Sequence, residues 1–191
     1  AGSASRNAAS GPIAAHVFES AGTYPITVSV TNGVSTVSYS CNITVLDADA
    51  EFTGNKTVCV SGVGNFSGCP VGAFQVANSN ATTAVFNNLG VGNKRILFHR
   101  GETFAVSSVI QINKYGPGIL GSYGSGAKPI LSLSSGASGI QMSSSATPGM
   151  ADWRIMDLQF EGNYSNNAAV YGGGSMSDLL VIRNDIRNSK W

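Results

Sequence analysis

Two stretches near the end of the chain decide the fold: MADWRIMDLQFEGN at residues 150–163 and MSDLLVIRNDIRNS at residues 176–189. An offset of 26 residues aligns Met150 with Met176, Asp152 with Asp178, Ile155 with Val181, Met156 with Ile182 and Phe160 with Ile186. A period in the twenties with one apolar run per repeat is typical of a solenoid, because each coil needs a neighbour to cover its apolar row. The sequence therefore predicts stacked coils of parallel strands.

Shorter apolar runs precede this repeat, and one stretch among them has the pattern of a helix. RILF, VIQI, GILGSYG and PILSL follow one another between residues 95 and 133. In NATTAVFNNLG, Asn80 is a good N-cap, the apolar face consists of Val85, Phe86 and Leu89, and Gly90 suits the position after the helix. We therefore predict a short helix that caps the first coil.

The beginning of the chain alternates as half-buried strands do. TYPITVSV at residues 23–30 is followed by Asn32-Gly33, a strong hairpin signal, and the alternation then resumes. Two or three strands cannot cover both faces of a sandwich. Residues 1–46 are therefore expected to belong to a longer chain, or to be completed by strands of a neighbouring subunit.

The domain boundaries follow from these patterns. Residues 1–46 form the first predicted module, residues 47–51 are a predicted linker, and residues 52–191 hold the coils. The sequence reaches Trp191 in mid-coil, and an uncapped coil leaves apolar side chains uncovered. We therefore expect further coils after Trp191.

The first module resembles the PKD domain, an immunoglobulin-like family common in bacterial surface proteins and secreted glycan-degrading enzymes. The residues that carry the resemblance are HVFESAGTYPITVSVTNGVSTVSYSCNITV, residues 16–45. The early strands of the family and its Trp-Asp-Phe-Gly-Asp segment have no counterpart here. The resemblance thus implies the C-terminal part of a β-sandwich, with His16 as a structural residue.

The second module resembles the right-handed parallel β-helices of the pectate-lyase-like superfamily. The carrying stretches are KRILFHRGETF at residues 94–104, PGILGSYGSGAKPIL at residues 117–131, WRIMDLQF and LLVIRNDI. The expected fold class is all-β, a partial sandwich followed by a right-handed parallel β-helix. The resemblance implies an association with polysaccharide and, as a cofactor, calcium. The sequence itself shows no cofactor or metal motif.

Composition limits the location and the partners of the chain. Charged residues make up 11%, Gly numbers 24, and hydrophobic residues reach 42%. Such a composition favours an extracellular all-β protein with a packed core. The net charge is +1 without a basic run, which excludes electrostatic recruitment of nucleic acid. No stretch approaches the roughly 20 apolar residues of a membrane span. We predict a chain that is secreted or held at the cell surface.

The three cysteines have two predicted roles. Cys59 and Cys69 bracket the Gly-rich stretch CVSGVGNFSGC and are a candidate disulfide, with two reduced buried thiols as the alternative. Cys41 lies in an alternating strand and is predicted to be a small core residue.

Charged side chains on the repeat are predicted to meet across coils. The 26-residue register places Asp157 beside Arg183 and Glu161 beside Arg187, at the spacing of neighbouring strands. These are predicted as surface ion pairs, whereas Asp152 above Asp178 would repel. No catalytic residue is assigned.

Three further sets of residues complete the candidates. Alternation would place His99 and Glu102 on opposite faces of a strand. Four aromatic residues could stack on sugar rings if exposed, namely Tyr115, Tyr123, Trp153 and Tyr171. Candidate glycosylation sequons start at Asn42, Asn55, Asn65, Asn80 and Asn163.

Two functions from different classes fit these features. The first is a secreted or cell-surface protein that engages polysaccharide or cell-surface glycan through a β-helix scaffold, as part of a lyase or hydrolase whose active site lies elsewhere. Whether the chain is an enzyme stays open. The alternative is a structural or adhesive component of a self-assembling extracellular structure, such as a fibre, tail spike or surface layer.

Overall fold

The computed structural model describes residues 8–12, 14, 16, 18, 20–134, 136–144, 150–164 and 168–189. Strands account for 48% of the chain and helices for 10%, so the fold is mostly β, as predicted. The chain divides into two compact units, residues 1–51 and residues 52–191. Trp191, at which we expected an open coil, lies outside the described residues.

The first unit contains an antiparallel hairpin of strands β1 (Gly22–Thr31) and β2 (Thr36–Val45). The predicted Asn32-Gly33 turn joins them, with Gly33 at a positive φ of 86°. The Asn32 side-chain oxygen accepts hydrogen bonds from the backbone N–H groups of Val34 and Ser35. These bonds fix the turn locally, as asparagine commonly does.

The two faces of the hairpin differ in chemistry. The register places Ile26 opposite Cys41 and Val28 opposite Tyr39, so one face is apolar. The other face carries hydroxyl groups that pair across the strands, including Ser29 with Ser38 at 2.7 Å. Cys41 is exposed and free, so its predicted burial in a core is wrong. Its strand has the alternation of a core strand, but the described residues place no second layer over it.

A short helix occupies the predicted linker. Helix α1 (Ala48–Glu51) follows Asp47, whose carboxylate accepts a hydrogen bond from the backbone N–H of Asp49 at 2.9 Å. A 3-10 turn, Gly54–Lys56, then lies at the start of the second unit.

The second unit is a β-solenoid of about three turns with one helix near its start. Its elements in chain order are β3 (Thr57–Ser61), β4 (Phe74–Ala77), α2 (Ala81–Leu89), β5 (Arg95–His99), β6 (Thr103–Val106), β7 (Ile110–Ile112), β8 (Gly118–Tyr123), β9 (Ile130–Leu133), β10 (Ile140–Ser144), β11 (Met150–Met156), β12 (Gln159–Glu161), β13 (Val170–Gly174), β14 (Met176–Ile182) and β15 (Asp185–Arg187).

Three parallel sheets form the walls of the solenoid. Sheet 1 has the order β13-β10-β7, sheet 2 the order β14-β11-β8-β5-β3-β4, and sheet 3 the order β15-β12-β9-β6. Each full coil contributes one strand to every sheet, so β5, β6 and β7 make the first coil, and β14 and β15 belong to the fourth. The predicted solenoid is confirmed.

The predicted register also appears in the ladders. Met150 pairs with Met176, Ile155 with Val181, and Phe160 with Ile186, as the 26-residue offset requires. The earlier pairing of Ile119 with Arg154 spans a longer stretch of chain, because the second coil carries longer turns. That difference explains why the repeat is visible only in the last two coils.

The core lies between the three sheets. Phe98 packs against Phe104 at a ring-centroid distance of 4.9 Å, and Trp153 and Phe160 are fully buried. Val181 and Ile186, in the fourth coil, remain 48% and 56% exposed, although they stack in the predicted register. Burial of an apolar row thus depends on a coil on each side of it.

Helix α2 packs against β5, β6 and β7 and covers the first coil. The Asn80 side chain accepts a hydrogen bond from the Thr83 N–H, which confirms the predicted N-cap. Val85 and Leu89 are buried as predicted, but Phe86 is 82% exposed. Phe86 follows Val85 directly, and a step of one residue turns a helical side chain away from the face that Val85 buries.

Cys59 and Cys69 form the predicted disulfide, with a Cα–Cα distance of 6.1 Å. The bridged loop folds over the outer face of sheet 2. There it encloses a second, smaller apolar cluster, in which Leu97 and Tyr123 pack with the disulfide and with Phe66. This part of the sheet 2 outer face is therefore covered.

Candidate functional site

Charged side chains collect at the corner where sheet 2 turns into sheet 3. We call this group the charged corner and define it as Arg100, Lys128, Asp157, Arg183 and Asp185. Four of its residues come from the turn between sheets 2 and 3 in successive coils, and Asp185 begins β15 directly after that turn in the fourth coil. The repeat that builds the core thus also aligns these side chains on the surface.

Asp157 and Arg183 lie at equivalent positions of the third and fourth coils. Both have left-handed backbone conformations, with φ of 60° and 57°, which turn the two strands in the same way. Arg183 donates from Nε to Asp157 Oδ1 at 2.8 Å and from Nη2 to Asp157 Oδ2, which makes the contact bidentate. Arg100 approaches the same carboxylate at 4.0 Å.

The remaining members of the charged corner also contact each other. Lys128 donates to Asp185 at 3.0 Å. Beside them, the Asn184 side chain accepts from the Leu158 N–H at 3.0 Å and donates to the Ile155 carbonyl at 2.8 Å. These bonds fasten the fourth coil to the third. Both carboxylates of the corner contact its cations, and these contacts connect coils, which is a structural role.

The second predicted ion pair has a different geometry. Glu161 and Arg187 are register partners in sheet 3. Glu161 accepts from the Asn163 N–H at 3.2 Å, and Arg187 lies 3.9 Å from Asp185. The structure thus places the two residues on neighbouring strands, while each has another described polar contact.

Asp152 and Asp178 occupy a repeated left-handed position, with φ of 57° and 54°. Arg154 lies 2.7 Å from Asp152 and offsets its charge. Within the described ranges, no group of three or more His, Cys, Asp or Glu side chains is placed to hold a metal ion.

His99 and Glu102 are in contact, so the prediction that they lie on opposite faces is wrong. His99 Nδ1 is 3.0 Å from Glu102 Oε1. Strand β5 ends at His99, and Gly101 then adopts a φ of 82°, so the alternation of a strand does not extend to Glu102. The glycine between the two residues, in HRGE, was the signal that could have revealed this contact.

Glu102 anchors the start of the disulfide loop. Its carboxylate accepts from the Ser61 hydroxyl at 2.8 Å and from the Gly62 N–H at 2.6 Å. Ser61 is fully buried, so its hydroxyl is not presented to a substrate. The carboxylate thus holds the start of the loop.

Tyr123 completes this cluster from the neighbouring coil. Its ring lies 5.1 Å from that of His99, edge to face, and its hydroxyl donates to the Asn65 carbonyl at 2.9 Å. Burial and the nearby Glu102 carboxylate raise the pKa of Tyr123 to about 12. The hydroxyl therefore remains a hydrogen-bond donor at neutral pH and holds the loop.

The four candidate aromatic residues separate into two pairs. Trp153 is buried, with its ring N–H donating to the Lys114 carbonyl at 2.8 Å, and Tyr123 is buried under the loop. Neither can stack on a sugar. Tyr115 and Tyr171 are exposed, by 41% and 38%, so their rings are accessible to a sugar.

The glycosylation sequons also differ in access. Asn42, Asn55 and Asn65 are exposed. The Asn80 amide donates to Ser107 at 2.9 Å, and the Asn163 amide donates to the Leu133 carbonyl at 2.8 Å. A glycan needs that amide nitrogen, so the first three positions are the better candidates.

Comparison with known families gives one match. The PKD domain model matches residues 1–45. The match begins at residue 1 rather than at His16, so its position differs from the predicted one. The chain matches no curated protein and no solved structure.

A segment that matches the PKD domain model, together with a β-solenoid, fits an extracellular or adhesive protein. No helix within the described residues has the length and apolar character that a membrane crossing requires.

Proposed function

We propose that this chain is part of a secreted or cell-surface protein that engages polysaccharide on the outer surface of its solenoid. In this proposal the solenoid is a right-handed β-helix related to the pectate-lyase-like superfamily, and the PKD segment is a spacer. The observation that carries the proposal is the cross-coil register, in which equivalent side chains of successive coils form straight rows.

Such rows suit a polymer ligand. A polysaccharide repeats along its length, and the coils repeat about every 4.8 Å along the solenoid axis. Side chains on packed coils are already ordered, so binding costs little additional conformational entropy. The Glu102 carboxylate contacts His99 and the Asp157 carboxylate accepts from Arg183, so both carboxylates have partners within the protein, which favours binding over catalysis in this segment.

The test is affinity gel electrophoresis of the full chain in gels that contain single polysaccharides, both uncharged and acidic. We expect slower migration in at least one of them, with the heat-unfolded chain as the control. Unchanged migration of the folded chain in every gel would reject the proposal.

A second candidate is a structural or adhesive subunit. The match of residues 1–45 to the PKD domain model, beside a β-solenoid, favours it. Sedimentation velocity over a range of concentrations distinguishes the two functions. Ordered growth with concentration supports the assembly role, and a monomer at all concentrations rejects it.

A further inference from the structure

We infer that the outer face of sheet 1 is the contact surface, and that its ligand is an uncharged polysaccharide rather than an acidic one. This inference rests on the proposed function. It concerns a row of three side chains, Gln111, Gln141 and Tyr171, which we call the Gln-Tyr row.

The register of sheet 1 aligns this row. Gln111 pairs with Gln141, and Gln141 pairs with Tyr171, so the three residues come from consecutive coils. Their neighbours Ile110 and Ile140 are buried in the core. Because side chains alternate along a strand, the Gln-Tyr row points outward.

The charge distribution favours a neutral ligand on this sheet. The strands of sheet 1, with the sequences IQI, IQMSS and VYGGG, contain no charged residue. Strands of the other two sheets carry charges, such as Arg154 in sheet 2 and Glu161 in sheet 3. An acidic sugar bound on sheet 1 would lose hydration without gaining a cation from its strands, which is costly.

The side chains of the row have the chemistry that sugars require. A tyrosine ring offers an apolar face to the C–H groups of a pyranose. Each glutamine offers both a donor and an acceptor to sugar hydroxyls. Beside the row, Gly173 has open space where a side chain would stand, so a polymer can approach the strand closely.

The alternative surfaces are less available. The disulfide loop covers the outer face of sheet 2 in the first coils, and the residues of the charged corner are engaged with one another. Sheet 1 therefore offers a row that is aligned, outward-facing and uncharged.

The test measures dissociation constants of the full chain by affinity electrophoresis, with mannan and hydroxyethyl cellulose as uncharged ligands and polygalacturonate and alginate as acidic ones. We expect Tyr171→Ala to weaken binding of an uncharged ligand about tenfold, and Gln141→Ala to weaken it about threefold to tenfold. Tyr171→Phe should keep most of the affinity, because the ring remains. Tyr39→Ala is the matched control, since Tyr39 is an exposed tyrosine of the hairpin and lies outside the solenoid.

The outcomes separate the inference from the function on which it rests. Weaker binding of the uncharged ligand by Tyr171→Ala but not by Tyr39→Ala, with a loss that salt does not change, supports the inference. Binding of acidic ligands alone, or binding that Tyr171→Ala and Gln141→Ala leave unchanged, overturns the inference and leaves the proposed function standing. If no polysaccharide binds, the proposed function fails with it. The thermal midpoint of each variant, expected to equal that of the parent, confirms that the fold is intact.

Discussion

The hairpin and the solenoid are built from the same alternating pattern of apolar and polar residues, and they differ in what covers the apolar row. In the hairpin, Val28 and Tyr39 face each other on an exposed face. In the solenoid, Ile155 and Phe160 also lie on the apolar faces of their strands, but they are fully buried, because coils lie on both sides of them. The period of a strand thus determines which side chains share a face, and the neighbouring layer determines how much that face contributes to stability.

The largest expected effect is the loss of a core side chain from the solenoid. Phe160→Ala should lower the free energy of unfolding by about 3–5 kcal/mol, because it removes buried area and leaves a cavity between two coils. Val30→Ala, on the exposed hairpin face, should cost less than about 0.5 kcal/mol. Urea denaturation of each variant checks the contrast. Similar losses would show that the apolar face of the hairpin is covered in solution.

The second contrast compares the cysteines of the two units. Cys69→Ser removes the bridge to Cys59 and should lower the free energy of unfolding by about 2–3 kcal/mol, since the bridge limits the freedom of the unfolded loop. Cys41→Ser, in the hairpin, is the control and should change it by less than about 0.5 kcal/mol. The measurement is urea denaturation without reductant. An equal effect of both substitutions would contradict the assignment of the bridge.

Much of the fold followed from local signals, and the errors have separate physical causes. The pairing of Ile155 with Val181 came from the repeat, and the Asn80 cap came from short-range residue preferences. The exposure of Cys41 could not be predicted, because it depends on a layer that the hairpin sequence does not specify. The contact of His99 with Glu102 was missed because one glycine conformation ends the strand alternation.

The candidate site was less predictable than the fold. The repeat placed Asp157 beside Arg183, but it could not show that Arg100 approaches the same carboxylate from the first coil. The earlier coils differ in length, so their residues have no fixed offset from the repeat. The Gln-Tyr row was hidden for a different reason, because its members recur every 30 residues and not at the 26-residue offset of the visible repeat. Its three members become neighbours only through the ladders of sheet 1.

A third, smaller effect concerns Tyr123, which lies under the disulfide loop on the solenoid. The pKa of Tyr123 is raised to about 12 from its usual value of 10, so the unfolded chain loses this proton at lower pH than the folded chain. The contribution of the Tyr123 hydroxyl to the free energy of unfolding is therefore complete below pH 10 and is lost as the pH rises from 10 towards 12. The loss is about 1 kcal/mol after allowance for solvent screening.

The check on Tyr123 is urea denaturation between pH 8 and pH 11.5, comparing the parent with Tyr123→Phe. The substitution should cost about 1 kcal/mol at pH 8, through the hydrogen bond to Asn65. The parent should then lose more stability with rising pH than the variant does. Parallel pH profiles would contradict the proposed burial of the hydroxyl.

The smallest expected effect compares exposed cross-strand contacts in the two units. A double-mutant cycle of Asp157→Asn and Arg183→Gln should give a coupling of about 0.5–1 kcal/mol, since the pair is bidentate but partly solvated. The hydroxyl pair of Ser29 and Ser38, cycled with alanine, should give about 0.2–0.5 kcal/mol. Urea denaturation reports the first coupling, and hydrogen exchange of β1 and β2 reports the second.

Salt at 1 M should weaken only the coupling of Asp157 with Arg183, because it screens charges and leaves neutral hydrogen bonds unchanged. If both couplings resist salt, the contact of Asp157 with Arg183 depends on hydrogen-bond geometry rather than on charge.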